Sequence, residues 1–126
     1  TSVSGAPRYF RGAVVAYSDE AKRSLLGVRT ETLETHGAVS AQGAAGMARG
    51  ARRPLQTTWA LSSTGFAGPE GPGPGRPPGQ VFLGLSGPAI ETIRDLTFPG
   101  SRATVRERTA RSALDLLRRA LLEAAP

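Results

Sequence analysis

A chain of 126 residues with 39% apolar and 21% charged side chains is sized for one soluble domain spanning residues 1–126, with a real core but no room for a second. It has no cysteine, which excludes disulfides, thiolate metal sites and a cysteine nucleophile, and no apolar run approaches the ~20 residues that cross a bilayer. Sixteen basic residues against ten acidic ones leave a net charge of +6, which suits an anionic partner.

The first seven residues show no periodicity, and they lack the basic region and apolar core of a secretory signal. A cytoplasmic location is therefore expected. Residues 10–17 (FRGAVVAY) form a short apolar run with β-branched members, which predicts a buried strand. Ser18 follows as an N-cap, with Asp19 and Glu20 in the first turn, where the helix dipole favours acids. Leu25 and Leu26 give this helix an apolar side, and Gly27 ends it. Thr30 is placed to cap a second short helix running to Thr35 and closed by Gly37. A third helix is predicted from Ser40 to about Arg53, with Pro54 as its stop. Gly43, Gly46 and Gly50 each cost that helix about 1 kcal/mol against alanine. Their spacing puts them on one face, where close backbone packing compensates.

Strands are predicted at residues 57–63, 80–86 and 90–98, the last two joined through a Gly87-Pro88 hairpin turn. Between the first two lies a long loop, residues 65–79. From Gly68 to Gly79 only Glu70 and Arg76 are neither glycine nor proline. Ser101 caps the final helix, whose apolar stripe reads Val105, Ala110, Ala113, Leu114, Leu117 and Leu121. Strands alternating with helices, plus one hairpin, predict an α/β fold: a three-layer α/β/α sandwich on a mixed, mostly parallel sheet. The glycine–proline loop then lies at a strand's carboxyl end, where open α/β sheets bind ligands.

Fifteen of the sixteen basic residues are arginine; the exception is Lys22, five residues after Tyr17. Arginine stays protonated, whereas lysine gives up its proton in suitable surroundings, so Lys22 is the first candidate for proton-transfer chemistry. The competing reading is a surface lysine in an arginine-biased chain. The arginines at 102, 106, 108, 111, 118 and 119 follow the solvent face of a helix with few aromatics nearby to stack bases, so a nucleic-acid partner is not expected. His36 is the only histidine and stands at a helix end. It supports neither a zinc site nor a Ser-His-Asp triad, and no metal or cofactor is expected.

Six stretches in order carry a family resemblance: FRGAVVAYSDEAK (10–22), LLGV (25–28), HGAVS (36–40), MARGAR (47–52), STGFAGP (63–69) and FPGSR (98–102). Together they resemble the C-terminal domain of the bacterial competence-damage-inducible CinA family, whose stand-alone members are nicotinamide-nucleotide amidases. The resemblance implies a serine–lysine amidohydrolase acting on nicotinamide mononucleotide, a small-molecule substrate, with no membrane or nucleic-acid partner. Tyr17 and Lys22 fall on the family's catalytic tyrosine and lysine. The nucleophilic serine of the family lies in a Glu-Ser-Cys-Thr-Gly-Gly motif after the first strand. Nothing like it occurs in residues 1–126, so the nucleophile and first strand are expected upstream of Thr1. The family's Gly-Ser-Ser reads Gly5-Ala6-Pro7 here, and its loop-end Lys-Pro-Val-Gly reads Arg76-Pro77-Pro78-Gly79.

Chemistry assigns the remaining roles. A serine–lysine hydrolase needs a neutral amine to accept the serine proton. Lys22 sits near the start of a helix, where the dipole and Arg23 disfavour an ammonium while Asp19 and Glu20 favour it. Thr64, Gly65, Ala67 and Gly68 follow a strand and can aim N–H groups and a hydroxyl at an anion or a developing oxyanion. Arg102, at a capped helix start, is the candidate grip for the nucleotide phosphate. Two alternatives stand beside the amidase: a catalytically inactive nucleotide-binding module of the same family, and an arginine-rich nucleic-acid binder. An incomplete sheet edge also predicts homo-oligomeric association.

Overall fold

The structure, a computed structural model, describes all of residues 1–126. A 3-10 turn at Ala6–Arg8 precedes the first long element. The order is then α1 (Asp19–Leu26), α2 (Thr30–His36), α3 (Ala41–Leu55), β1 (Ala60–Gly65), β2 (Gln80–Ser86), β3 (Glu91–Thr97) and α4 (Arg102–Ala124). Three helices begin at serine caps. Ser18 Oγ accepts the Ala21 N–H, Ser40 Oγ that of Gly43, and Ser101 Oγ that of Thr104, at 3.1, 2.9 and 3.2 Å. Gly27 closes α1 in the left-handed region at φ 63°. Thr30 lies inside α2 rather than capping it, and Arg29, the residue at the cap, makes no side-chain capping bond.

Helix α3 continues through Pro54 to Leu55 and stops at Gln56, which takes φ 48°. A proline in the last turn removes only one backbone bond, so it does not stop the helix where a mid-helix proline would. The glycines of α3 pack as their spacing suggests. A Cβ on Gly50 would collide with the Leu26 carbonyl, and one on Gly46 would touch Val28 at 3.4 Å. The backbone of α3 thus presses against the end of α1. Ala16, Leu26, Val28, Leu33 and Met47 form the core between them.

The α/β class holds, but the expected mostly parallel sheet does not. The sheet has three strands in the order β1-β2-β3, and both pairings are antiparallel, with Leu61 opposite Leu85 and Phe82 opposite Asp95. The first strand is displaced from residues 57–63 to Ala60–Gly65. The Thr57 N–H and carbonyl are engaged by the Arg52 carbonyl and the Arg52 guanidinium, which ties that stretch to the end of α3. Strand β2 sits in the middle and is buried from Val81 to Ser86, on both of its faces. Helix α3 covers the face carrying Ser62 and Gly84; Ser62 Oγ donates to the Ala44 carbonyl at 2.6 Å. Helix α4 contacts the same two strands.

Residues 10–17, expected as a buried strand, form none. Their burial alternates with period two: Gly12, Val14 and Ala16 face inward while Arg11, Ala13, Val15 and Tyr17 are exposed. This is the side-chain pattern of an extended chain. Yet residues 11–17 make no backbone–backbone hydrogen bond. A strand is defined by its ladder, and no neighbouring strand lies beside this one to supply it.

Helix α4 corrects its predicted stripe as well. It buries Val105, Thr109, Ala113 and Ala120, whereas Leu114 and Leu121 are exposed, as is Leu122. Its sheet-facing side is the one with the smaller side chains, and a second apolar side is left open. No helix of the structure is long and apolar enough to cross a membrane.

Candidate active site

The site begins at the carboxyl end of the unpaired segment. Tyr17 ends it with its ring 84% exposed, and Ser18 then turns the chain into α1. One turn into that helix, Lys22 points back beneath the segment. It is 5% exposed, and Nζ donates to the Tyr17 carbonyl at 3.2 Å. This is the only lysine of the chain, and it is the charged residue the fold buries. The Tyr17 carbonyl is the one hydrogen-bond partner of this buried amine.

On the other side stands the carboxyl end of β1 and the turn after it. Thr64 Oγ1 donates to the Ala38 carbonyl at 3.1 Å, so its hydroxyl fastens the turn to the start of α3. The backbone N–H groups of Ala67 and Gly68 have no hydrogen-bond partner in the protein. Gly68 takes φ 90°, a conformation that a side chain would strain. The glycine–proline loop is itself anchored. The Arg76 guanidinium lies 5.0 Å from the centroid of the Phe66 ring and donates to the Val39 carbonyl at 2.6 Å. Its guanidinium thus holds the loop against the start of α3.

Arg102, the first residue of α4, closes the ring of contacts. It donates to the Gly68 carbonyl at 3.1 Å and to the Tyr17 hydroxyl at 3.3 Å, joining three segments far apart in sequence. Lys22, Tyr17, Thr64, Gly65, Ala67, Gly68 and Arg102 all line one cavity of about 560 Å³. That volume falls in the range of pockets that hold small ligands. The carboxyl ends of the unpaired segment and of β1 both reach the cavity.

Several lining residues had no role in the sequence reading. Asp19 and Glu70 add carboxylates, Ser63 a hydroxyl and Arg106 a second guanidinium from α4, while Met47, Val81 and Val105 form apolar wall. Arg106 was read as part of a solvated helix face. Its position four residues after Arg102 was the available signal, because residues at i and i+4 share a side of a helix. His36 does not line the cavity, and no group of three or more His, Cys, Asp or Glu side chains could hold a metal ion.

Comparison with known proteins agrees with this architecture. The model of the CinA C-terminal domain matches residues 1–121. A CinA-like protein of Geobacter sulfurreducens is 46% identical over 124 residues, covering 98% of this chain and 30% of the relative. A CinA-like protein of Nostoc is 45% identical over 133 residues, 97% of this chain and 31% of the relative. The chain thus spans about a third of the length of the curated relatives it matches. Among solved structures, the competence damage-inducible protein A of Klebsiella pneumoniae superposes with a TM-score of 0.93 at 32% identity, covering 98% of this chain and 77% of that one. The ordered motifs, the fold and these matches together make this chain a member of the CinA C-terminal domain family.

Proposed function

We propose that this domain is the amidase half-site of a nicotinamide-nucleotide amidase, which converts nicotinamide mononucleotide and water to nicotinate mononucleotide and ammonia by a serine–lysine mechanism. The observation that carries this reading is the buried Lys22 amine at one side of a cavity whose other side offers the free N–H groups of Ala67 and Gly68. Lys22 takes the proton of the serine nucleophile as its Oγ attacks the carboxamide carbon. The resulting oxyanion is received by backbone N–H donors at 67–68. Lys22 then returns the proton to the departing nitrogen, ammonia leaves, and water hydrolyses the acyl-serine with Lys22 again as base. The Tyr17 carbonyl orients the amine, and Arg102 holds the nucleotide's phosphate at the rim. No cofactor or metal takes part in this scheme, which is set in the cytoplasm.

The serine enters on a strand placed between residues 11–17 and β1. Both neighbours run toward the cavity, so a strand parallel to them would fill two open edges and complete the mixed sheet of a three-layer sandwich. It would also deliver the residue at its carboxyl end to Lys22. Parallel strands require a crossover, usually helical, and the exposed Leu114, Leu121 and Leu122 of α4 offer a surface on which such a helix packs. Because residues 1–126 contain no Glu-Ser-Cys-Thr-Gly-Gly motif, the second reading for these residues alone is binding of the nucleotide without turnover. The test is ammonia release from nicotinamide mononucleotide by residues 1–126 fused behind a strand–helix segment that carries the Glu-Ser-Cys-Thr-Gly-Gly motif. Turnover is expected, and Lys22→Met lowers kcat by roughly 10²- to 10⁴-fold. Binding without ammonia release from the fused protein would leave only the second reading.

A further inference from the structure

Away from the site described above lies a second cavity of about 580 Å³, and the two share no lining residue. It opens where the end of α1 and the start of α2 meet α3. Its floor is made of groups that leave space: Gly27, Gly46 and Gly50 offer bare backbone, with Leu25, Val28 and Pro54 beside them. Leu25 stays 54% exposed although it belongs to the apolar side of α1. The walls carry Arg29, Arg49 and Arg53, and no acidic residue lines the cavity.

Ordinary helix chemistry does not account for this gathering. Helix α3 contains three arginines and no acid, so none of them has a carboxylate within its own helix. Arg52 turns inward, donating to the Thr57 and Gly87 carbonyls and to Ser86 Oγ. Arg49 reaches Glu91 of β3, and the Arg53 guanidinium is left without a hydrogen-bond or ion-pair partner. A place in the last turn suits Arg53 to the helix dipole, but Arg49 stands a turn earlier, and like charges at i and i+4 repel. Arg29 costs its helix more directly. It occupies the N-cap of α2, makes no capping bond, and brings a cation to the end where the dipole disfavours one. The carboxylates that do meet these arginines, Glu31 on Arg29 and Glu91 on Arg49, are 73% and 38% exposed. Exposed pairs of this kind contribute roughly 0–1 kcal/mol, so an incoming anion replaces them at little cost.

Two of the three arginines come from α3 and one from the corner between α1 and α2, so they address an occupant from two walls. A diphosphate offers oxygens on two phosphorus atoms and several negative charges, which suits guanidinium forks arriving from both sides. The volume is that of a small-molecule pocket rather than of phosphates alone, and the bare glycine floor with its apolar border suits a flat ring. We propose that this cavity binds a nucleoside diphosphate, with its phosphates held by Arg29, Arg49 and Arg53 and its ring laid over Gly27, Gly46 and Gly50. The inference rests on this cavity alone and is independent of the amidase reading.

The test is calorimetric titration of adenosine diphosphate into residues 1–126, and into the fused protein, both carrying Arg102→Ala to remove the phosphate grip of the first cavity. Binding is expected in that background. Adding Arg29→Ala or Arg53→Ala should weaken it about 10- to 100-fold, as for loss of a charged hydrogen bond. Arg53→Lys, which keeps the charge, should recover part of the affinity. Arg108→Ala, an equal loss of charge outside both cavities, should leave binding unchanged. Inorganic pyrophosphate should bind more weakly than the nucleotide, and adenosine more weakly still. Absence of binding in the Arg102→Ala background would overturn the proposal, as would unchanged affinity in both Arg29→Ala and Arg53→Ala. Equal weakening by Arg108→Ala would overturn it too, by tracing the binding to diffuse positive charge. Pyrophosphate binding as tightly as the nucleotide would overturn the placement of the ring.

Discussion

Residues 10–17 and strand β2 are both short, apolar and valine-bearing, and both have the length of an ordinary strand. They end in different states. In β2 the chain has β1 on one side and β3 on the other, and every residue from Val81 to Ser86 is buried. In residues 10–17 one face packs on α1 and α3 while Val15 and Tyr17 are 85% and 84% exposed, and no ladder forms. The difference does not lie in the residues themselves. Strand propensity expresses fit to a half-buried pleated surface with neighbours, and only β2 has the neighbours. An extended segment left without a ladder in this way is a place where pairing is possible, and its end borders the cavity that Lys22 lines.

The sharpest way to break the contrast is by truncation. Leu83→Ala, at a residue 1% exposed in the middle of β2, should cost about 2–5 kcal/mol in denaturant unfolding, through lost burial and the cavity left behind. Val15→Ala should change stability by less than about 0.5 kcal/mol. Amide hydrogen exchange reads the same contrast without mutation: 81–85 should be protected to near the global unfolding limit, whereas 11–17 should exchange freely. Equal protection of the two segments would mean that residues 11–17 are paired after all.

A smaller effect tests how β1 is held to its helix. Ser62→Ala leaves the Ala44 carbonyl without its hydroxyl partner in a buried place, and should destabilise by about 1–3 kcal/mol in thermal or denaturant melts. The corresponding change on the exposed side, Ser63→Ala, should be close to neutral for stability, which separates the packed face of β1 from its open one.

The smallest effect extends the comparison of partnered and unpartnered groups to charges. Hydrogen bonds from Arg118 and then Arg119 hold the Asp115 carboxyl below the usual carboxylate range. A carboxyl depressed in the folded state contributes stability that is present above its unfolded pKa and lost as pH falls through its folded one. Asp115→Asn should therefore lower Tm slightly at neutral pH, with the difference from wild type vanishing in strong acid. The pair is exposed, so added salt should shrink the effect further.

Much of the local structure was legible in the sequence because its causes are local. Serine caps at 18, 40 and 101 and the left-handed Gly27 follow from groups within a few residues of one another. Strand 80–86 is bounded by Gly79 and Gly87, and its bounds match those expected. The glycine spacing of α3 announced a close helix contact. Where sequence reading erred, the cause lay at a distance. It took residues 10–17 for a strand although pairing depends on a partner, and it took Leu114 and Leu121 for core although the sheet lies against Val105 and Ala113. It started the next strand at residue 57, which Arg52 ties to α3.

The candidate site divides along the same line. The sequence by itself singled out Lys22 as the lone lysine and Arg102 at a capped helix start, and the ordered motifs named the family. Only the tertiary structure could bury Lys22 under the end of the segment that precedes it, join Arg102 to Tyr17 and Gly68, and place Arg106 at the cavity. It also decided that the sheet would be antiparallel throughout, since strand direction emerges from which edges meet. Capping, turns and periodicity act over a few residues and can be read along the chain. Burial, pairing and the partners of a charge depend on segments that meet only when the chain has folded.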